Sequence, residues 1–207
     1  MKLFAHPGAS SMSVHILLRE LGTPFELEIV DVKTKLRADG SGYGAIAERG
    51  LVPLLVLPDG ATITENAVIA QYLCDSAGRV DLMPEAGSIA RYVVLEWQGF
   101  IAAELDKAFA PLFWPIGEEE RSAVRQDLRQ RFATVDGDLD GRDFLTGETF
   151  TAADAYMFVI ASWASFFQVD LSGMPALRAY LVRIGRRSSV AAALAAEGPG
   201  FVSLLAD

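Results

Sequence analysis

The sequence has few residues that could build a covalent or metal-bound scaffold. Its 207 residues include one cysteine, Cys74, and two histidines. A single cysteine excludes an intramolecular disulfide, and a structural zinc site usually takes four cysteine or histidine ligands. We therefore expect no metal. Because disulfides belong to oxidising compartments, the expected location is the cytoplasm.

Positive charge is also scarce. The chain carries 18 lysines and arginines against 27 aspartates and glutamates, which gives a net charge of -9. Proteins that bind nucleic acids or anionic membrane surfaces neutralise phosphates with basic side chains. We expect neither kind of partner for this chain.

Long apolar runs are missing as well. The most apolar segment, 155–167, is interrupted by serines, and it is shorter than the ~20 residues that a membrane-spanning helix needs. At the start of the chain, Met1-Lys2-Leu3-Phe4 soon meets His6-Pro7-Gly8. No apolar stretch there is long enough for a signal peptide, so we expect none.

What remains is the composition of a folded protein, with 51% hydrophobic and 22% charged residues. The first part reads as strand, helix and strand, then a loop with one short helix, then two strands and a helix. From residue 88 onward only helical patterns occur, in the segments 89–113, 121–139, 151–167, 174–186 and 190–196. The pattern predicts an α/β unit followed by a helical bundle with segment 151–167 at its centre.

The stretch from Leu51 to Cys74 organises the first unit. Pro58-Asp59-Gly60 between two short apolar runs predicts a β-hairpin. Val52-Pro53 opens its first strand, and proline there cannot donate to a ladder, which leaves backbone groups free. Glu65-Asn66 starts the next helix, where unpaired amides and the helix dipole favour an anion. One edge could thus bind a zwitterion that carries an ammonium and a carboxylate.

The chain resembles the cytosolic glutathione transferases, and within them the bacterial beta class. The residues that carry this resemblance run over most of the sequence. They are Met1-Lys2-Leu3-Phe4, Pro7-Gly8-Ala9, His15, Leu18-Arg19-Glu20, Val52-Pro53, Thr64-Glu65, Gln71-Tyr72-Leu73, Ile89-Ala90-Arg91-Tyr92, Glu96-Trp97, Glu104-Leu105, Lys107, Pro111-Leu112-Phe113, Phe150-Thr151 and Ala153-Asp154-Ala155-Tyr156.

This resemblance implies a thioredoxin-like, glutathione-binding domain over 1–78, a linker over 79–87 and an all-helical domain over 88–207. It further implies a homodimer, glutathione as co-substrate and a role in detoxification. Pro53 would follow a cis peptide bond, and Val52 would pair with the cysteinyl part of glutathione. The ammonium and carboxylate of the γ-glutamyl part would bind Glu65 and Asn66. The other positions that match glutathione contacts are Lys35, Lys107 and Glu104, the last contributed across the dimer interface.

Four departures from the family pattern affect the expected chemistry. Ala5 stands where the beta class has a tyrosine, and Ser10 stands where it has its signature cysteine. The family's His-Lys pair is Asp106-Lys107, and a helping asparagine from the partner subunit is Gly99. A mixed disulfide between glutathione and the first helix is therefore excluded.

Ser10 is the best candidate to stabilise the glutathione thiolate, with its neighbour Ser11 second. A hydroxyl at a helix N-terminus can do so through one hydrogen bond and the helix dipole. The alternative is a purely structural role, in which Ser10 only caps the helix. For a second-substrate pocket the candidates are His6, Phe113 and Trp114. The other aromatic residues in this part of the chain, Phe109, Trp163, Phe166 and Phe167, are expected in the core.

Two further patterns have structural interpretations. Thr151 and Asp154 form a capping-box sequence at the start of the apolar helix. Arg121, Arg125 and Arg129, four residues apart, are expected on a solvated helix face.

The leading functional hypothesis is a glutathione transferase that conjugates the glutathione thiolate to apolar electrophiles. A hypothesis of another class is a non-catalytic binding or scaffold protein that keeps the fold without the tyrosine and cysteine. The third is glutathione-dependent peroxide reduction or isomerisation at the same site. Turnover with electrophiles distinguishes the first hypothesis from the second, and hydroperoxide or maleyl substrates test the third.

Overall fold

The computed structural model describes residues 1–198, Gly200 and Val202. The remainder of the predicted second domain, including 203–207, lies outside the described residues. The N-terminal part is a five-stranded sheet in the order β3-β2-β1-β4-β5. Its strands are β1 (Lys2–Ala5), β2 (Glu26–Asp31), β3 (Leu36–Arg37), β4 (Leu54–Val56) and β5 (Thr62–Thr64).

Strand β1 is the centre of this sheet. It pairs in parallel with β2 and antiparallel with β4, while β3 and β5 add antiparallel edges. Helix α1 (Met12–Leu21) connects β1 to β2, and helix α2 (Asn66–Ala77) follows β5. The predicted order of strands and helices is confirmed. The two-residue strand β3 was missed, because it lies in the polar, glycine-rich segment that reads as a loop.

The second part of the described chain is helical. It contains α3 (Ile89–Phe100), a π-helical turn (Ile101–Asp106), α4 (Lys107–Phe109), a 3-10 turn (Ala110–Phe113), α5 (Glu118–Asp138), α6 (Ala152–Phe166), α7 (Pro175–Gly185) and α8 (Ser188–Glu197). Every residue of α6 from Ala152 to Ala164 is buried, which confirms its predicted central position. Among the described residues, no helix combines the length and the apolarity that crossing a membrane requires.

The two parts share one continuous hydrophobic core, because α1 packs against both α6 and α8. The indole Nε1 of Trp163 on α6 donates to the carbonyl of Gly8 at 2.7 Å. His15 of α1 and Glu197 of α8 have fully buried side chains, with 2.6 Å between Nδ1 and Oε1. The sheet and the helices therefore hold each other in a fixed position. The predicted domain limits stay predictions.

Two arginines of the expected solvated face of α5 also bind main-chain carbonyls, although the Arg129 side chain stays 41% exposed. Arg125 donates from Nε to the carbonyl of Phe167 at 2.8 Å. Arg129 donates to the carbonyls of Asp170 and Ser172. These side chains tie α5 to the loop after α6, a contact that spacing along one helix does not reveal.

Glu20 on α1 forms a second connection to the α8 region. Arg187 donates to it twice, from Nε at 2.7 Å and from Nη2 at 2.9 Å, and the Ser189 hydroxyl also donates to it. Burial alone would raise the pKa of the Glu20 carboxyl, but the hydrogen bonds from Arg187 and Ser189 outweigh burial and lower this pKa. A lowered pKa means that folding favours the ionised form.

We predict that Glu20→Gln lowers the free energy of unfolding at pH 7 by about 2 kcal/mol, the usual size of a charged hydrogen-bond pair. The stabilisation by ionised Glu20 is present above the unfolded-state pKa of about 4.3 and is lost as pH falls through the folded-state pKa. Urea unfolding should therefore show the difference between wild type and variant shrinking towards pH 3. Glu26→Gln, on the exposed face of β2, is the matched control. An equal difference at both pH values would contradict the role of the charge.

Candidate functional site

A cavity of about 520 Å³ opens where the sheet meets the helical part. Its wall is formed by the start of α1, the segment before β4, the start of α2, the π-helical turn and α6. Its lining includes six predicted site residues and, among the others, two with ionisable side chains that are hydrogen-bonded to each other. These are Ser10, Val52, Pro53, Glu65, Asn66 and Lys107, and then Asp106 and Tyr156.

The Val52-Pro53 peptide bond is cis, as predicted. Strand β4 begins at Leu54, so Val52 lies just before the ladder. Within the described residues, no hydrogen bond uses the main-chain amide or carbonyl of Val52. A strand-like backbone edge therefore faces the cavity with its polar groups available to a peptide.

Glu65 precedes α2 with a φ of 70°. Such a φ is uncommon for residues other than glycine and is often found at functional sites. Its exposed carboxylate lines the cavity and has Arg49 Nη1 at 4.0 Å. Immediately after it, the first amides of α2 lack acceptors within the helix. The negative Glu65 carboxylate thus lies next to helix amides that can bind an anion.

Asn66 is buried, and its side chain is already hydrogen-bonded within the protein. Its Oδ1 lies 2.9 Å from the hydroxyl of Ser13. The same hydroxyl lies 2.7 Å from the carbonyl of Ser10. Asn66 therefore links the start of α2 to the start of α1, which leaves its main-chain amide as the group beside the cavity.

The structure places the two serine candidates differently. Ser10 is half-buried and lines the cavity. Ser11 is fully buried, and its hydroxyl accepts from the His6 amide at 3.2 Å. Ser11 occupies the N-cap position of α1, yet its side chain makes no capping hydrogen bond, and α1 begins without one. Of the two hydroxyls, that of Ser10 belongs to the cavity wall.

Asp106 and Tyr156 are site residues that the sequence reasoning did not select. Asp106 ends the π-helical turn, and π-helical turns are frequent at functional sites. The Tyr156 hydroxyl donates to Asp106 Oδ2 at 2.8 Å, and the Ser10 hydroxyl lines the same cavity. Burial raises the pKa of the Asp106 carboxyl, although both hydroxyls act against the increase. The sequence feature that could have indicated Asp106 is its position beside Lys107 within an apolar helical segment.

Other nominated residues lie outside this cavity. Lys35 Nζ donates to the carbonyl of Gly50 at 2.6 Å. The His6 ring bonds through Nδ1 to the carbonyl of Val30 at 2.8 Å. Glu104 pairs with Arg131 and lines a separate groove, to which Lys107 also contributes. Their assignments to ligand binding stay predictions.

The aromatic residues separate into buried and exposed groups. Phe109, Trp163 and Phe167 are core residues, as expected. Phe166 is 55% exposed, so its predicted place in the core is wrong. Phe113 and Trp114, the pocket candidates, are partly exposed, and Phe113 packs edge-on against Trp163 with 5.5 Å between ring centroids. Neither lines the cavity that contains Ser10.

Comparisons with known proteins agree with this architecture. A family model described as the glutathione S-transferase N-terminal domain matches residues 9–76, and the model of the corresponding C-terminal domain matches residues 100–187. Glutathione S-transferase GstA of Escherichia coli O157:H7 is 41% identical over 199 residues, covering 96% of this chain and 99% of that protein.

Solved structures give the same result. A sphingomonad glutathione S-transferase complexed with glutathione is 39% identical, with a TM-score of 0.91, and the match covers 96% of this chain and 99% of that one. The bacterial beta class glutathione S-transferase of Sphingomonas chungbukensis is 38% identical, with a TM-score of 0.92, and the match covers 96% and 100% of the two chains.

Proposed function

The chain belongs to the glutathione S-transferase family, and we propose that it conjugates the thiolate of glutathione bound in this cavity to an apolar electrophile. The single observation that carries the site assignment is the convergence of Ser10, the Val52 backbone and Glu65 on one cavity. These residues come from three separate elements of the fold. Together they match a peptide with a charged end and a central thiol.

The positions of these lining residues support one orientation of the tripeptide. The Val52 main chain would pair with the cysteinyl residue as one more strand does with a sheet edge. The γ-glutamyl ammonium would bind the Glu65 carboxylate, and the γ-glutamyl carboxylate would bind the first amides of α2. Lys107 would face the remaining carboxylate. In this orientation the thiol lies towards Ser10 and the start of α1.

Ser10 would stabilise the thiolate that conjugation requires. A free thiol has a pKa of about 8.5 and is mostly protonated at neutral pH. One charge-assisted hydrogen bond contributes roughly 1.5 to 3 kcal/mol. That contribution lowers the thiol pKa by about one to two units. The electrophile would bind beside the thiol against the helical part of the cavity wall, and the predicted contacts with Phe113 and Trp114 would lie beyond that wall.

Cys74 cannot replace the family's missing cysteine. It is 1% exposed, and burial raises the pKa of its thiol to about 12. A buried, protonated thiol is not a nucleophile. This supports direct conjugation over a mechanism with a protein-glutathione mixed disulfide.

The finer assignments complete the proposal. We place the protein in the cytoplasm, as a homodimer with a role in detoxification. The partner subunit would add contacts near Glu104. The competing hypotheses are a non-catalytic scaffold and glutathione-dependent peroxide reduction or isomerisation. Turnover with electrophiles, hydroperoxides and maleyl substrates distinguishes them.

The test of the proposed function is a calorimetric titration with glutathione, followed by conjugation assays with several electrophiles. Parallel ultraviolet detection of bound thiolate reports activation of the thiol. Binding with a thiolate signal and turnover above the uncatalysed rate is the expected result. Binding without turnover would favour the scaffold, and absence of binding at millimolar glutathione would overturn the proposal.

We predict that Glu65→Gln weakens glutathione binding at least tenfold, because an amide cannot form the charge-assisted bonds that the ammonium requires, worth about 1.5 to 3 kcal/mol. Calorimetry measures the change in Kd. Glu48→Gln is the matched control, since Glu48 also lines the cavity but has no assigned contact. If both variants bind equally well, Glu65 does not hold the ammonium.

A further inference from the structure

A second, much smaller cavity lies behind the wall of the main cavity, which contains Ser10. This inner cavity measures about 10 Å³, which is room for one water molecule. Its polar lining comes from four different helices and consists of Ser13 of α1, Asn66 of α2, Gln98 of α3 and Tyr156 of α6. Asn66 and Tyr156 line both cavities, so these two side chains form the wall between them.

Gln98 supplies the observation that points to a ligand. Its side chain is 1% exposed, and its Oε1 has no hydrogen-bond partner among the described residues. An amide oxygen that is buried without a partner is destabilising, and native proteins nearly always supply one, either from the protein or from an ordered water. Gln98 lines the inner cavity. The oxygen therefore needs a donor, and the space for a donor lies beside it.

Water fits this site in size, in charge and in the number of bonds it can make. The space admits one small molecule, and none of the described lining residues carries a formal charge, which argues against an ion. A buried water typically makes about three hydrogen bonds. One donated bond would satisfy Gln98 Oε1, and the polar groups for the remaining bonds come from Ser13, Asn66 and Tyr156.

We propose that the inner cavity is the binding site of one water molecule, which donates to Gln98 Oε1 and bonds to the wall formed by Asn66 and Tyr156. Through this water, Gln98 is a positioning residue for the start of α2, where the Asn66 main-chain amide faces the γ-glutamyl carboxylate. The positioning role rests on the proposed function. The water site itself does not.

The other contacts of the wall leave this link to the water. Asn66 Oδ1 lies 2.9 Å from the Ser13 hydroxyl, which connects it to α1. The Tyr156 hydroxyl donates to Asp106 at 2.8 Å, which connects it to the π-helical turn. Neither bond involves α3. A water that bridges Gln98 to the wall therefore adds a third helix to the support of the glutathione site.

A high-resolution crystal structure of the protein tests the water site directly. We expect a density peak about 2.5 to 3.0 Å from Gln98 Oε1, the usual distance for a hydrogen bond between two oxygens. The same peak should lie within bonding distance of Ser13, Asn66 or Tyr156. An inner cavity without density, in a map that shows other buried waters, would overturn the proposal. A direct bond from a protein group to Gln98 Oε1 would overturn it as well.

Gln98→Met tests the positioning role, because methionine keeps the length of the side chain and removes the amide oxygen. The density peak should disappear, and the Kd for glutathione should rise roughly two- to tenfold, the effect of one net hydrogen bond. The kcat at saturating glutathione should stay within about twofold of wild type, since the effect is on binding. Gln126→Met, at an exposed position of α5, is the matched control and should change neither quantity.

Ala70→Val is an independent variant that fills the inner cavity from α2. It should displace the water and raise the Kd for glutathione as Gln98→Met does. The double variant should bind no more weakly than the weaker single variant, because both changes remove the same water. Additive losses, or a Gln98→Met protein with unchanged Kd, would overturn the positioning role. If the wild type does not bind glutathione, the proposed function fails, and the crystal structure still decides the water site.

Discussion

Ser10→Ala should lower kcat for conjugation roughly 10- to 100-fold at neutral pH while glutathione still binds. The hydroxyl is the group on the cavity wall beside the proposed thiol position. Its loss removes a charge-assisted bond worth about 1.5 to 3 kcal/mol, which equals one to two units of thiol pKa. The proposed interactions of the tripeptide with Val52 and Glu65 do not involve this hydroxyl. The effect should therefore appear in kcat and in the thiolate absorbance, with Kd changed little.

Two matched variants complete this measurement. Ser11→Ala removes a fully buried hydroxyl that bonds the His6 amide, and Ser76→Ala removes an exposed one on α2. Ser11→Ala should retain the thiolate signal if Ser10 activates the thiol. A signal lost in Ser11→Ala and kept in Ser10→Ala would reverse the assignment.

Asp154→Ala should lower the free energy of unfolding by about 3 to 5 kcal/mol, the cost of removing one partner from a buried charged network. The Asp154 carboxylate is fully buried. It accepts from the Thr151 amide at 2.7 Å, the Leu145 amide at 2.9 Å and the Tyr180 hydroxyl at 3.1 Å. Alanine would leave these donors without a partner in the core, and each unsatisfied donor adds a desolvation cost.

Denaturant unfolding measures this loss, with Asp140→Ala as the exposed control. The control should change stability by less than about 0.5 kcal/mol, as is usual for surface positions. Asp154→Asn should lie between wild type and Asp154→Ala, since one amide oxygen still accepts. If Asp154→Ala lowered the free energy of unfolding by less than about 1 kcal/mol, the network would not be a source of stability.

The order of the helices and strands followed from local features of the sequence. The alternation in β2, the turn residues between β4 and β5, and the all-round apolar character of α6 each depend on neighbours along the chain. The capping box at Thr151 and Asp154 also forms as its local sequence predicted. The family pattern added the cis bond before Pro53 and the glutathione transferase identity. Strand β3 was not predicted, because its two residues are too few to form a recognisable pattern.

The candidate site was only partly readable from the sequence. Glu65, Asn66 and Val52 lie close together along the chain, so a local argument could group them. Asp106 and Tyr156 are 50 residues apart and meet only because the π-helical turn and α6 pack side by side. The choice between Ser10 and Ser11 likewise depended on which hydroxyl the first turn of α1 directs to the cavity.

By itself, then, the sequence determined the succession of secondary-structure elements and the buried helix, and it predicted the cavity edge before α2. These depend on backbone preferences and on periodicity over a few residues. Tertiary structure alone decided that Asp106 and Tyr156 meet at the cavity that Ser10 lines, and that Arg125 and Arg129 bind the loop after α6. Contacts of this kind arise because packing brings distant side chains within hydrogen-bonding distance, and no local pattern encodes that distance.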